Sequence, residues 1–152
     1  MGSGASSRLF QEVREKRGLV YTIYSTTSSF KDTGIFSVYA ACEPSKTKEV
    51  IGVVKDELIK IQNNLTIEEV QKAKMQLKAS ILMGLENNSN RMERIASQYL
   101  LEGKITEIND SINNIMRVDI DDIKEIAKNI ICNNKYTLTI LGKPVGSNFY
   151  EV

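Results

Sequence analysis

The sequence predicts an α+β domain in which an antiparallel β-sheet is covered by helices on one face. There are two runs of alternating apolar and polar side chains, residues 19–24 and 34–41, and the turn-like polar stretch "SFKDTG" leads into the second. Such a pair of runs indicates an antiparallel hairpin. From Pro44 onward the apolar residues recur mainly at helical spacing. Because no crossover helix separates the two strands, we expect an antiparallel sheet rather than a parallel one.

The first helix is expected to begin at Ser6 or Ser7 and to run through Arg17. A serine hydroxyl can accept a hydrogen bond from a free backbone N–H at the start of a helix. Gly18 stands where a helix C-cap glycine belongs, and from that point the period changes from helical to alternating. The apolar stripe of this helix comprises Leu9, Phe10 and Val13.

Two longer helices are predicted after the hairpin. Pro44 and Ser45 mark the start of the first, with Ser45 as its cap, and we expect it to extend through Gln62. The residues "TIEE", from Thr66 to Glu69, form a capping box, in which the Glu69 side chain returns a bond to the Thr66 backbone N–H. The helix that they open has an apolar face made of Val70, Ala73, Leu77 and Ile81.

Three more helices and a closing strand are predicted for the rest of the chain. The stretch "ENNSN" interrupts the long helix, and the next helix runs to Gly103. Shorter helices are expected near 106–116 and 120–131, the latter capped by Asp119, and "KYTLTILG" is expected to form the last strand. The residues expected to point inward from the helix before Gly103 are Met92, Ala96, Tyr99 and Leu100.

Length and composition indicate one soluble domain. We assign residues 1–142 of the 152 to it and expect 143–152 to be a loose tail. The net charge of +1 gives no electrostatic reason to expect a nucleic acid or an acidic membrane as a partner. No apolar run approaches the roughly 18 residues that span a bilayer, and the N-terminus lacks the apolar core of a signal peptide. We therefore expect a cytoplasmic protein.

The chain contains no histidine. This excludes a Ser-His or Cys-His triad, a histidine general base and a histidine-ligated zinc site within these residues. The two cysteines, Cys42 and Cys132, lie far apart and form no metal-ligand pattern. The acidic run "VDIDD" lacks the ligand spacing of an EF-hand loop and is better explained as a capped helix start. We therefore predict no metal site in this chain.

Arg14 and Tyr21 lie on either side of the expected reversal at Gly18. A guanidinium and a phenol in this arrangement could both donate hydrogen bonds to one carbonyl oxygen. In the structural alternative, Arg14 pairs with a nearby acid at the helix C-terminus and Tyr21 packs in the sheet. From spacing alone the structural alternative is favoured.

The start of the chain, "GSGASS", could cradle a phosphate through its backbone amides. It follows no visible strand and lacks the lysine of a P-loop, so a plain loop is favoured.

Five stretches resemble one family of proteins. "SSRLFQEVREKRGLVYTIYS", followed by "SSFKDTGIFSVYAA", closely resembles the second half of zinc peptidases of the pitrilysin and mitochondrial processing peptidase family, with the bacterial members as the nearest in pattern. "LTIEEVQKAKMQLKASILMGLENNSNRMERIASQYLLEGK" is similar to the long C-terminal helical stretch of the family. "VDIDDIKEIAKNII" with "YTLTILG" is similar to its closing helix and strand. The resemblance covers residues 2–142.

The resemblance implies a fold and a division of labour. Members of this family have two similar α/β halves that close around a chamber, and the first half binds zinc through H-x-x-E-H and a distal glutamate. The second half lacks this motif but supplies an arginine and a tyrosine that reach the substrate, and these correspond to Arg14 and Tyr21. Their implied role is to bind the substrate backbone and to stabilise the charge that develops on the scissile carbonyl. A glycine-rich loop beside the substrate corresponds to Gly2 and Gly4.

The resemblance also implies what the chain needs from elsewhere. The zinc-binding half and the beginning of the second half are missing, so we expect a truncated piece of a longer peptidase. It holds no cofactor of its own, because zinc belongs to the N-terminal half on the same chain or on a partner subunit. The expected partners are that half and a peptide substrate. Alone, the piece is expected to cleave nothing.

Two other classes of function remain as alternatives. A non-catalytic homologue would keep the fold as a structural or interaction protein, although the presence of both Arg14 and Tyr21 favours the enzyme. A stand-alone module for nucleic acids or small ligands would need a basic stripe or a pocket motif, and neither is evident. Homodimerisation through an exposed sheet edge stays open.

Overall fold

An antiparallel hairpin organises the N-terminal part of the fold. In the computed structural model, which describes residues 2, 4–131 and 136–143, strand β1 (Thr22–Ser29) pairs with strand β2 (Gly34–Ala41). The predicted hairpin is confirmed, and its link is closed by a hydrogen bond of 2.9 Å from the Phe30 N–H to the Thr33 carbonyl.

One face of the hairpin packs against the main hydrophobic core. Ile23 on β1 lies opposite Ala40, and Ser25 lies opposite Val38, so these four residues share a face. Ala40 and Val38 pack against the buried cluster to which Ile23 belongs. The buried cluster comprises Leu9, Val13, Leu19, Val20, Ile23 and Val50. The α+β fold with helices on one face of an antiparallel sheet is thereby confirmed.

The first helix has wider turns than predicted and is shorter. Residues Phe10–Glu15 form a π-helix, in which the Lys16 N–H donates to the Gln11 carbonyl five residues back at 3.0 Å. Of the two serines expected to cap the helix, Ser7 accepts a long hydrogen bond of 3.4 Å from the Phe10 N–H, while the π-helix itself begins after Leu9 without a side-chain cap. The helix was expected to reach Arg17 but ends at Glu15, and residues 16 and 17 form a turn that the Gly18 N–H closes on the Arg14 carbonyl.

Five α-helices follow the hairpin. They are α1 (Thr47–Asn64), α2 (Ile67–Gly84), α3 (Asn88–Glu102), α4 (Ile108–Arg117) and α5 (Ile120–Ile131). Helix α1 packs on the N-terminal helix and on α5, while α2 packs on α4. The capping box of Thr66 and Glu69 is present at the start of α2, and Asp119 accepts from the Asp121 and Asp122 N–H groups at 2.9 Å at the start of α5.

The predicted serine cap of α1 is wrong. Ser45 lies inside a short 3-10 turn, Pro44–Lys46, and α1 begins only at Thr47. No side chain caps this end, because the turn itself leads the backbone into the helix.

The predicted apolar face of α2 is also only partly correct. Val70 is buried, but Leu77 is half exposed and the buried polar residue of this helix is Lys74. The Lys74 ammonium donates to the Met116 carbonyl at 3.0 Å, in the last turn of α4. A cation suits a helix C-terminus, where carbonyl groups lack intrahelical partners, so packing on α4 places a lysine inside this contact.

The apolar face of α3 does not point inward. Met92, Tyr99 and Leu100 are 68%, 63% and 81% exposed, and Ala96 is exposed as well. No residue of α3 is buried in the part of the chain that the structure describes. Helical periodicity identified an apolar face correctly, but burial also needs a second element packed against that face.

The closing strand is not formed in the described residues. Residues 136–141 belong to no strand, and Lys135 lies outside the described part. The Tyr136 ring lies instead against α1, with the Lys55 ammonium 4.6 Å from its centroid. Alternation is therefore insufficient here, because a strand also needs a sheet edge to pair with. Of the predicted tail, residues 143–152, all but Lys143 lie outside the described residues.

Candidate functional site

Gly18 reverses the chain between the N-terminal helix and the hairpin, as predicted. Its φ of +58° lies in the left-handed region, which glycine adopts without the steric cost that a Cβ would bring. The Gly18 N–H donates to the Arg14 carbonyl at 2.9 Å, and the Leu19 N–H donates to the Val13 carbonyl at 3.0 Å. These two bonds close the helix end and hold Arg14 in its last turn.

Arg14 is exposed and is not used in an ion pair with a described residue. Its guanidinium carbon lies 4.9 Å from the centroid of the Phe10 ring, one turn earlier. Of the two acids on this helix, Glu12 is taken by Lys16 and by Arg17, and the hydrogen bonds from these two cations lower the pKa of Glu12. Glu15 forms no ion pair with Arg14. The structural alternative for Arg14, pairing with a nearby acid, is therefore wrong among the described residues.

Tyr21 projects from an otherwise anchored segment. Its backbone N–H donates to the Ala41 carbonyl at 2.7 Å, and the two residues before it, Leu19 and Val20, are buried. The Tyr21 side chain is nevertheless 65% exposed, and its hydroxyl has no hydrogen-bond partner within the described part of the chain. The alternative in which Tyr21 packs in the sheet is wrong, because β1 begins one residue later.

Gly2 and Gly4 lie near the hairpin and the first helix. The Gly2 carbonyl accepts from the Ser25 N–H of β1 at 3.3 Å, and the Gly4 carbonyl accepts from the Ser7 N–H at 2.9 Å. A side chain at Gly2 would meet the Ser7 Cβ at 3.6 Å, whereas Gly4 faces open space. The glycine-rich start is therefore bonded to β1, which follows Tyr21, and to Ser7, which precedes the helix that carries Arg14.

An ion pair between Arg8 and Glu69 was missed in the sequence. The Arg8 Nε lies 2.6 Å from the Glu69 Oε1, and its Nη2 lies 2.7 Å from the Oε2. The same guanidinium also donates to the Asn64 carbonyl, the last residue of α1. Sequence analysis predicted Glu69 as a capping residue. Its second partner, Arg8, is 61 positions away in the chain, so no local sequence pattern indicates this contact.

Acid is expected to weaken this ion pair. The hydrogen bond from Arg8 lowers the pKa of Glu69 to about 2, with further lowering by the bonds from Thr66. Because the folded pKa lies below the ordinary value of 4.5, the stabilisation is present above that value and is lost as pH falls through about 2. The melting-temperature difference between the native protein and Glu69→Gln should therefore shrink between about pH 5 and pH 2.

Thermal unfolding followed by circular dichroism measures this difference. Glu68→Gln, one position away and outside the Arg8 contact, is the matched control, and its difference should not follow this trend. If the melting-temperature difference between the native protein and Glu69→Gln stays constant down to pH 2, the assigned ion pair between Arg8 and Glu69 is contradicted.

The described residues contain no group of three or more His, Cys, Asp or Glu side chains that could hold a metal ion. Arg14 and Tyr21 are hydrogen-bond donors at neutral pH and are not the ligands that zinc takes in proteins. What the two side chains can do is donate hydrogen bonds to an oxygen on a bound molecule.

Among the helices that the structure describes, none has the length and apolar character of a membrane-spanning segment.

Sequence comparisons identify related proteins. Residues 1–77 match the family model described as the peptidase M16 inactive domain. An uncharacterized zinc protease of Streptomyces coelicolor is 41% identical over 143 residues, covering 93% of this chain and 31% of the relative. Another, from Mycobacterium bovis, is 38% identical over 148 residues, covering 97% of this chain and 33% of the relative. The chain thus spans about a third of the length of the curated relatives it matches.

Solved structures share the fold. A chain of Complex III2 from Candida albicans, with Inz-5 bound, superposes with a TM-score of 0.74 at 26% identity, over 82% of this chain and 30% of that one. A peptidase M16 inactive domain from Pseudomonas fluorescens has a TM-score of 0.72 at 22% identity, over 83% of this chain and 30% of that one. The resemblance to the second half of zinc peptidases is confirmed, and the chain belongs to the peptidase M16 family.

Proposed function

We propose that this chain is the C-terminal domain of a zinc-dependent endopeptidase and that Arg14 and Tyr21 bind its peptide substrate. Both side chains donate to the carbonyl oxygen of the bond that is cleaved, and they stabilise the negative charge that develops there during attack. The observation that carries this proposal is the exposure of both side chains on either side of the Gly18 reversal.

The state of the two donors supports this role. A donor that already serves a neighbour inside the protein must give up that bond before it can serve a substrate. The Arg14 guanidinium only covers the Phe10 ring, and the Tyr21 hydroxyl has no partner among the described residues. Their backbones are held by the hydrogen bonds around Gly18 and by the Ala41 carbonyl, so the two donors start from anchored positions.

Zinc belongs, in this proposal, to the part of the enzyme outside this chain. The relatives named zinc proteases are about three times as long as the stretch they share with it. The residues of this chain do not fit a zinc site, because the sequence has no histidine and the described residues contain no cluster of ligands. The partners are therefore a zinc-binding N-terminal half and a peptide, and the isolated chain is inactive.

Gly2 and Gly4 are proposed to guide the substrate. Gly4 has no neighbour that a side chain would touch, so its backbone can be approached closely. Gly2 contributes less directly, because its carbonyl is already bonded to Ser25.

A non-catalytic homologue of the same fold is the second candidate. It is favoured by one observation: a chain of Complex III2 shares the fold, with a TM-score of 0.74 at 26% identity. The two candidates differ in the remainder of the protein, because only the enzyme needs an H-x-x-E-H motif there or on a partner subunit.

Assembly with the zinc-binding half should be required for activity. The complete protein, as one polypeptide or two subunits, is expected to cleave an unfolded fluorogenic peptide and to lose this activity on chelation. The 152-residue chain alone should release no fluorescence and retain no zinc after dialysis, as measured by elemental analysis. A complete protein that neither binds zinc nor cleaves peptides would contradict the proposal and support the non-catalytic homologue.

A further inference from the structure

Arg8 joins three separate elements of the fold through one side chain. It lies at the start of the first helical segment, directly before the π-helix, and its guanidinium makes a two-bond contact with Glu69 in the first turn of α2. It also donates to the carbonyl of Asn64 at the end of α1. The Arg8 side chain is 18% exposed and the Glu69 side chain is 37% exposed, so the contact is partly shielded from solvent.

The Glu69 carboxylate is oriented by hydrogen bonds to Thr66 that do not involve Arg8. Its Oε2 accepts from the Thr66 N–H at 3.0 Å and from the Thr66 hydroxyl at 3.1 Å, and its own N–H donates back to that hydroxyl at 3.2 Å. The carboxylate therefore has one orientation, set by the helix cap. Two parallel bonds from a planar guanidinium then define both the distance and the direction of the arginine.

The segment that Arg8 holds is the one that carries Arg14. The π-helix is short, and π-helices are a rare form of backbone. Leu9 and Val13 are fully buried and fix the depth of the helix in the core, and the bonds around Gly18 hold its last turn. Hydrophobic contacts are not directional, so they define the orientation of the first turn less sharply than a two-bond ion pair does. The contact of Arg8 with Glu69 supplies that direction at the start of the helix.

We propose that Arg8 is a positioning residue for Arg14, and that its ion pair with Glu69 sets where the Arg14 guanidinium meets the substrate. This inference rests on the proposed function of Arg14. Arg8 contacts no substrate in this scheme. It anchors the start of the helix to the α1–α2 junction, and this in turn sets the position of the last turn, which carries Arg14. A small displacement of a substrate-binding group can lower the rate on the order of a hundredfold.

A double-mutant cycle in the complete peptidase tests the inference. Arg8→Ala should lower kcat by on the order of tenfold to a hundredfold, with zinc content and KM little changed. In an Arg14→Ala background the same substitution should have almost no further effect, because the group that it positions is gone. Arg8→Lys should recover part of the loss, since an ammonium keeps one charged contact but loses the two-bond geometry.

Two further variants keep the test decisive. Glu69→Gln preserves an oxygen that can accept a hydrogen bond from Thr66, but it removes the charge that Arg8 binds. It should therefore lower kcat, and it provides the test if Arg8→Ala does not fold. Glu12→Gln is the matched control, because it removes two ion pairs of the same helix that involve only Lys16 and Arg17. This control should leave kcat unchanged.

The outcomes separate this inference from the proposed function. If Arg14→Ala lowers turnover but Arg8→Ala and Glu69→Gln do not, the positioning role is overturned and the function of Arg14 stands. If Arg8→Ala lowers turnover equally in both backgrounds, Arg8 acts through general stability and the inference is overturned. If Arg14→Ala has no effect, both proposals fall.

Discussion

Arg14→Ala and Tyr21→Phe should each reduce the kcat of the complete peptidase by about 10²- to 10³-fold. This is the range typical for the loss of one donor to a developing oxyanion, about 2.7–4 kcal/mol of transition-state stabilisation. The effect falls mainly on kcat, because the donors act most strongly when charge has accumulated on the oxygen. Initial rates on a fluorogenic peptide measure it. Zinc content should stay normal in both variants, since neither residue belongs to a metal site.

Matched substitutions make this experiment specific. Arg17→Ala removes an arginine three positions away, whose guanidinium is engaged by Glu12. Tyr39→Phe removes the hydroxyl of another exposed tyrosine, whose ring stacks on Tyr24 with centroids 5.1 Å apart. Neither control should change kcat by more than a small factor. Unchanged turnover in both Arg14→Ala and Tyr21→Phe would contradict the proposed substrate-binding role of the pair.

Leu9→Ala should lower the free energy of unfolding by about 2–5 kcal/mol. Leu9 is 0% exposed and lies in the core cluster between the N-terminal helix, the hairpin and α1. Its truncation removes buried methyl groups and leaves a cavity that the neighbouring side chains fill only in part. Urea unfolding followed by circular dichroism measures the change.

Leu100→Ala is the control for Leu9→Ala. It is the same chemical change at a position that is 81% exposed, and it should alter the unfolding free energy by no more than about 0.5 kcal/mol. Equal losses at both positions would contradict the burial assigned to Leu9.

The features that sequence analysis predicted correctly depend on residues close together in the chain. The capping box of α2 needs Thr66 and Glu69, three positions apart, and the chain reversal at Gly18 needs one residue that tolerates a positive φ. The hairpin needs two alternating runs across a four-residue link, Phe30–Thr33. Since the atoms that interact are neighbours in sequence, the pattern contains nearly the whole interaction.

The features that sequence analysis missed depend on which elements meet. The stretch from Tyr136 to Leu141 alternates like a strand but joins no sheet in the described residues, and Leu100 belongs to an apolar helix face but lies exposed. In both cases the local pattern is present. Whether the strand pairs or the helix face becomes buried depends on a surface formed by residues far away in the sequence. Lys74 shows the reverse, since a charged residue is buried because α4 presents an unpaired carbonyl to it.

The features of the candidate site also separate into those set by local sequence and those set by tertiary contacts. By itself, the sequence determined the helix, the glycine reversal and the strand, and so the spacing that puts Arg14 and Tyr21 on either side of Gly18. Tertiary structure decided that both side chains are exposed, that Glu12 is taken by other cations, and that Arg8 reaches Glu69 from 61 positions away. The physical reason is that backbone conformation follows mainly from near neighbours, whereas exposure and ion pairing are set by the surfaces that folding brings together.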